Sequence, residues 1–135
     1  MKLGSGIFWI AAIYGAFVLL AGLLGEAQFN IASPPAVTHP EFYYGFHSLA
    51  LVFQIIFVII ACDPLRYRLL IPVAILEKAA FFIPCLVLWQ NGRLNSSSSI
   101  FVGAMIDGLF ILLFAYAWIA TKYVNRDHSP QQRDP

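Results

Sequence analysis

Charged side chains are scarce in this sequence, and their scarcity excludes most soluble folds. They make up 11% of the 135 residues, whereas hydrophobic residues make up 60%. Soluble domains usually carry roughly 25% charged residues, so a soluble fold of this size would lack the polar side chains to cover its surface. The formal net charge of +1 argues against nucleic acid as a partner. The composition therefore indicates an integral membrane protein.

The sequence also lacks the motifs of several common reaction classes. It contains no Gly-rich phosphate loop, no nucleophile elbow, no C-x-x-C pair and no cluster of His and Cys at metal-ligand spacing. Cys62 and Cys85 fall near opposite ends of consecutive apolar runs, too far apart in depth for a disulfide. We therefore predict that the protein uses no metal and no cofactor.

Long apolar runs are what the sequence has in abundance. Each is long enough, as a helix, to cross a hydrocarbon core of roughly 30 Å. We predict an all-α fold, an antiparallel four-helix transmembrane bundle, formed by one domain over residues 1–124. The predicted helices cover residues 7–24, 41–62, 69–89 and 100–120.

The segments outside these runs are polar or broken by proline. Pro34 and Pro35 predict that residues 25–40 form the longest loop and do not continue as helix. Residues 125–135 contain two prolines and no apolar face, which predicts a flexible cytoplasmic tail.

Basic residues are distributed unevenly between the two ends of the predicted bundle. With four spans, both termini and the turn at residues 63–68 lie on one side, which holds six basic residues against one on the other. The positive-inside rule then places both termini in the cytoplasm, and we predict the bacterial inner membrane as the location. The six are Lys2, Arg66, Arg68, Lys122, Arg126 and Arg133, and the one is Arg93.

Polar side chains inside the spans are the candidate functional residues. A charged side chain at the centre of a bilayer costs at least ~2.5 to 3.5 kcal/mol on insertion scales, so it should be hidden or used. His47 and Asp107 fall at similar depths when each helical residue rises about 1.5 Å. We predict that the two lie within direct or single-water hydrogen-bond reach, either as an acid and base pair or as a structural contact between helices.

A second polar group is predicted nearer the cytoplasmic face. Glu77, Gln54 and Tyr14 have similar depths by the same arithmetic, so Glu77 is predicted to face Gln54 or Tyr14, with a structural or a functional role. Lys78 is offset from Glu77 by about 100° around the helix. We therefore predict that Lys78 points away and reaches toward the cytoplasmic headgroups.

Three short segments resemble those of uncharacterised small bacterial four-span membrane proteins. They are residues 39–46 (HPEFYYGF), 63–68 (DPLRYR) and 76–78 (LEK). In size and arrangement the chain also resembles DoxX-like proteins and EXPERA-domain proteins, which include sterol isomerases. The latter resemblance implies that Glu77, Asp107 and His47 would move a proton on a lipid.

These features predict an outward-opening polar and aromatic pocket that binds a lipid-like or other apolar small molecule within the membrane. Two alternatives stay open: a membrane isomerase that uses general acid and base carboxylates, and a structural or partner-binding subunit without chemistry of its own. The predicted partners are membrane lipids, an apolar ligand and a second copy of the chain. The predicted catalytic residues are His47, Glu77 and Asp107, and the predicted ligand-binding residues are Tyr14, Tyr43, Phe46, Gln54 and Phe81.

Overall fold

A computed structural model describes residues 2–127 of the chain, with side chains described for residues 3–122. Within that part the chain is helical, and a short 3-10 turn at Arg68–Leu70 precedes the fourth helix. The helices are α1 (Lys2–Leu24), α2 (Glu26–Ala32), α3 (Pro40–Cys62), α4 (Ile71–Gln90) and α5 (Ser99–Asp127).

Four of these helices, all except α2, are long and apolar enough to cross a membrane. Consecutive spans run in opposite directions, because the beginnings of α1 and α4 share one buried cluster with the ends of α3 and α5. The structure thus confirms the predicted antiparallel four-helix transmembrane bundle.

Prolines mark the helix boundaries as expected from their missing N–H group. Pro40 occupies the first turn of α3, and Pro72 the first turn of α4, where the backbone N–H has no partner within the helix. Pro64 follows the end of α3 at Cys62. Pro84 lies inside α4 without ending it, which is a common arrangement in membrane helices.

Three boundaries differ from the prediction. α1 begins at Lys2 instead of residue 7, since no proline interrupts this segment and the Ser5 hydroxyl donates to the Ala61 carbonyl at 2.6 Å. α5 continues to Asp127, so the first part of the predicted tail is helical, and residues 128–135 lie outside the described part. The prediction of no helix within 25–40 is wrong, because α2 forms ahead of the first proline of that segment.

The bundle consists of two tightly packed helix pairs. α1 packs along α3, and α4 packs along α5, whereas contacts between the two pairs are sparser. Glycines allow the close approach within each pair: Gly15 lies directly against the Gln54 side chain, and a Cβ at Gly108 would lie 2.7 Å from Phe82 Cε2. Such small residues let membrane helices approach each other's backbones.

A cluster of three fully buried phenylalanines joins the two pairs toward the end of the bundle where α1 begins and α5 ends. Phe8 of α1 stacks on Phe114 of α5 with ring centroids 4.4 Å apart, and Phe57 of α3 meets Phe114 edge-on at 5.3 Å. Stacked and edge-to-face rings are favourable arrangements for aromatic pairs. The apolar core therefore occupies this half of the bundle, and the polar residues lie beyond it.

Candidate functional site

A buried lysine stands between two carboxylates where α4 and α5 meet. Lys78 Nζ lies 3.2 Å from Glu77 Oε2 on its own helix and 3.2 Å from Asp107 Oδ1 on α5. The side chains of Glu77, Lys78 and Asp107, which we call the charged triad, are only 12%, 8% and 15% exposed. The triad thus links the two helices of one pair inside the membrane.

The prediction that Lys78 points away from Glu77 toward the cytoplasmic headgroups is wrong. The 100° offset applies to Cα–Cβ directions, but the four-carbon lysine stem is long enough to bring its ammonium back beside the neighbouring carboxylate. Ionisable groups within spans usually pair with one another. That rule, applied to Lys78 and Asp107 together, is the sequence signal that could have found this contact.

The positive charge of Lys78 balances only one of the two carboxylates in the triad. Two carboxylates and one ammonium have a formal charge of −1 when all three are ionised. Glu77 Oε2 makes no hydrogen bond of good geometry in the described structure, so its 3.2 Å contact with Lys78 is an ion pair by distance. The ammonium also lies 5.3 Å from the centroid of the Phe57 ring, close enough for a cation–π attraction. Phe57 thereby connects the triad to the aromatic core.

His47 occupies a different part of the molecule, within the pair formed by α1 and α3. Its Nδ1 donates to the Tyr43 carbonyl at 2.7 Å, and its Nε2 lies directly against Gly22 of α1. Among the described residues no hydrogen bond or ion pair joins His47 to Asp107. The Asp107 carboxylate forms an ion pair with Lys78. The predicted direct contact between His47 and Asp107 is therefore not formed.

The predicted partners of Glu77 also have other contacts. Gln54 Nε2 donates to the Ala50 carbonyl at 2.9 Å, while its Oε1 is buried without a hydrogen-bond partner in the described part of the chain. Tyr14 packs its ring 6.0 Å from that of Phe110 on α5. Glu77 pairs with Lys78, and among the described residues no hydrogen bond joins it to Gln54 or Tyr14, so the prediction that it faces one of them stays a prediction.

Aromatic side chains lie at the end of the bundle opposite the phenylalanine cluster, where the mouth of a pocket was predicted. The Tyr43 hydroxyl donates to the Gly22 carbonyl at 2.7 Å, and Phe46 of α3 contacts Phe81 of α4 with centroids 5.4 Å apart. Helix α2 lies over this end, because the Tyr44 hydroxyl donates to Glu26 Oε2 at 2.6 Å. These contacts join α3 to α1, α2 and α4 at this end of the bundle, where Tyr44 and Phe46 stay exposed.

A groove of about 470 Å³ opens on the side of the bundle, between α1 and α3. Its walls are almost wholly apolar, and Gln54 is the one predicted site residue that lines it. Small side chains on α1 leave this space, notably Ala12 and Ala16. The sequence did not predict the groove, because alanines on a membrane helix can equally allow a neighbouring helix to pack closely against it. The lining residues are Trp9, Ala12, Ile13, Ala16, Ser48, Leu51, Val52, Gln54, Ile55 and Val58.

Two sets of observations complete the description of the site. Within the described residues, no three His, Cys, Asp or Glu side chains come together as a group that could hold a metal ion. No protein-family model, curated protein or solved structure matches this chain. The resemblances drawn from its short sequence segments therefore stay predictions.

Proposed function

We propose that this integral membrane protein binds a lipid-like apolar molecule in the groove between α1 and α3, without acid or base chemistry by the charged triad. The observation that carries the proposal is the groove itself: about 470 Å³, lined by apolar side chains together with Ser48 and one buried amide, that of Gln54. That volume lies within the range of roughly 300 to 1,000 Å³ typical of small-molecule sites.

The position of the groove supports a ligand that arrives from the bilayer. All of its lining residues belong to α1 and α3, and both helices are candidate membrane spans. A molecule dissolved among the lipid chains can therefore enter sideways without crossing water. Because lipid tails are as apolar as the walls, shape and van der Waals contact must select the ligand, as they do between membrane helices.

Gln54 adds a polar preference to this shape selection. Its side chain lines the groove, is almost fully buried and leaves Oε1 without a partner among the described residues. An unsatisfied polar group in a hydrocarbon environment costs several kcal/mol. Oε1 lies against Gly15, so we expect a ligand with a hydroxyl or N–H group near one end to bind better than a pure hydrocarbon once the Gln54 side chain turns Oε1 toward the groove.

The isomerase alternative receives less support from the same geometry. An acid or base must come within hydrogen-bond reach of the proton that it moves, but Glu77 and Asp107 are held by Lys78 and do not line the groove.

The proposal keeps the predicted orientation, with both termini in the cytoplasm of a bacterial cell.

Photo-crosslinking tests this proposal. The purified protein, in lipid nanodiscs, is irradiated with a long-chain alcohol that carries a diazirine near its hydroxyl, and the modified peptides are mapped by mass spectrometry. We expect adducts on α1 and α3 and a several-fold loss of adduct in Ala16→Leu, which fills the groove. Ala80→Leu is the matched control, because Ala80 is exposed and outside the groove. Equal labelling of the two variants, or adducts spread over all spans, would refute the groove as the site.

A further inference from the structure

The end of the bundle where α1 begins and α5 ends holds an arginine stacked against an aromatic face. Arg68 lies in the 3-10 turn ahead of α4, and its guanidinium carbon lies 3.6 Å from the centroid of the Trp118 ring on α5. Arg68 Nε is buried and has no hydrogen-bond partner among the described residues. A guanidinium stacked on a ring keeps the edge of its planar fork available for a further acceptor.

The basic residues near Arg68 have no acidic partner in the described structure. The ion pairs of the described residues lie elsewhere: one joins His39 with Glu41 at the beginning of α3, and the others link the three members of the charged triad. Asp63, the nearest carboxylate in sequence, accepts a hydrogen bond from the backbone N–H of Arg66 instead of pairing with a basic side chain. The positive charges at this end are therefore not neutralised by the described side chains.

Two further basic residues, Arg66 and Lys122, lie at the same end of the bundle as Arg68. Arg66 precedes it by two residues and lies over the Tyr67 ring at 5.4 Å. Lys122 is exposed and follows Trp118 by one helical turn, so it projects from the same face of α5. This end of the bundle therefore carries three basic side chains, one of which is stacked on Trp118.

From this arrangement we propose that Arg68, with Arg66 and Lys122, binds the headgroup of an anionic phospholipid. The phosphate of a lipid offers the planar, paired oxygen acceptors that a guanidinium fork recognises. A lipid fits better than free phosphate because Trp118 and Tyr67 are residues of the membrane interface type, and Leu69 beside Arg68 is largely exposed on the apolar surface. Residues of this type indicate the depth at which lipid headgroups lie.

The site is separate from the groove between α1 and α3, so each proposal can fail without the other. The groove is lined by residues of α1 and α3 alone, whereas this site combines the turn before α4 with the end of α5. Its ligand is chosen by charge, and the ligand of the groove is chosen by shape and one hydrogen bond.

Native mass spectrometry tests the site. The purified full-length protein is incubated with equal amounts of phosphatidylglycerol and phosphatidylcholine of the same chain length, and bound lipids are counted. We expect phosphatidylglycerol to be preferred, and Arg68→Gln or Lys122→Gln each to reduce that preference by about fivefold, the effect of one basic residue near an anionic membrane surface. Arg68→Lys should show a preference for phosphatidylglycerol between that of the wild type and that of Arg68→Gln, because it keeps the charge and loses the planar fork.

The matched control is Arg93→Gln, which removes the single basic residue in the turn between α4 and α5, and it should leave the preference unchanged. A thermal melt of each variant confirms that it is folded, and Lys122→Gln provides a second test at an exposed position. The proposal is overturned if folded Arg68→Gln and Lys122→Gln keep the wild-type preference, or if Arg93→Gln reduces it equally. Displacement of the lipid by inorganic phosphate at equal concentration would overturn the assignment to a lipid.

Discussion

At the scale of single residues, Lys78 holds the most constrained position in this protein. Its ammonium has two carboxylate neighbours at 3.2 Å and is 8% exposed. Replacement of a buried ion pair by apolar residues is often tolerated, but removal of one partner leaves an unpaired buried charge. The consequences of substitution in the triad therefore depend on which charges remain.

Lys78→Met should be the most damaging substitution in the triad. It removes the cation and leaves two carboxylates facing each other, so we expect a loss of about 3–5 kcal/mol in the free energy of unfolding. Reversible unfolding in mixed micelles measures this value. The variant that combines Lys78→Met with Glu77→Gln and Asp107→Asn should recover most of the loss, because no buried charge remains. A single variant as stable as the wild type would contradict this account.

Asp107→Asn separates a structural role from a chemical one. The substitution keeps the shape and hydrogen-bonding capacity of the side chain, and Lys78 retains Glu77 as a partner, so we expect a smaller loss of stability than in Lys78→Met. Labelling of the groove by the photoreactive alcohol should be unchanged, because Asp107 does not line it. Loss of labelling in a variant of unchanged thermal stability would instead favour the alternative in which Asp107 acts on a ligand.

At the scale of helices, the close approach of α1 to α3 depends on glycines placed opposite polar side chains. Gly22 lies against the His47 ring, which cannot swing away freely because its Nδ1 donates to the Tyr43 carbonyl. Gly6, on the same helix, has open space where a Cβ would be. Gly6 and Gly22, two of the four glycines of α1, thus have different surroundings.

Gly22→Ala and Gly6→Ala form a matched pair that tests this difference. The added methyl at Gly22 would overlap the His47 ring, so we expect a loss of about 1–3 kcal/mol in unfolding free energy, as for overpacked cores. Gly6→Ala should be neutral or slightly stabilising, because alanine favours helix over glycine by about 1 kcal/mol. Thermal unfolding of both variants provides the comparison, and equal effects would argue against the close contact at Gly22.

At the scale of the whole molecule, the distribution of basic residues and the antiparallel fold lead to one expected orientation. Both cysteines are free, and Cys62 is exposed at the end of α3 that lies beside the beginning of α1. Ser97 is exposed in the turn between α4 and α5, at the opposite end. These two positions report on the two sides of the membrane.

An impermeant maleimide added to intact cells should label Ser97→Cys and leave Cys62 unmodified. Labelling of Cys62 should require permeabilised cells, because the positive-inside rule places its end of the bundle in the cytoplasm. A Cys62→Ser background isolates the signal from Ser97→Cys. Labelling of Cys62 in intact cells would show the reverse orientation.

The sequence by itself determined the fold class of this protein and the number of its spans. Apolar runs long enough to cross a bilayer have few alternatives to a helix, because lipid offers no partner for the backbone. Prolines gave most boundaries within a few residues.

Only the tertiary structure decided which polar side chains meet. Contact between helices depends on how far each is rotated about its axis, and that rotation follows from packing, here from glycines and the phenylalanine cluster at Phe8, Phe57 and Phe114. His47 and Asp107 have similar predicted depths but lie in different helix pairs, with partners of their own. Lys78 reaches both carboxylates because its long stem can bend back along α4, and a residue's position on a helical wheel does not specify those torsions.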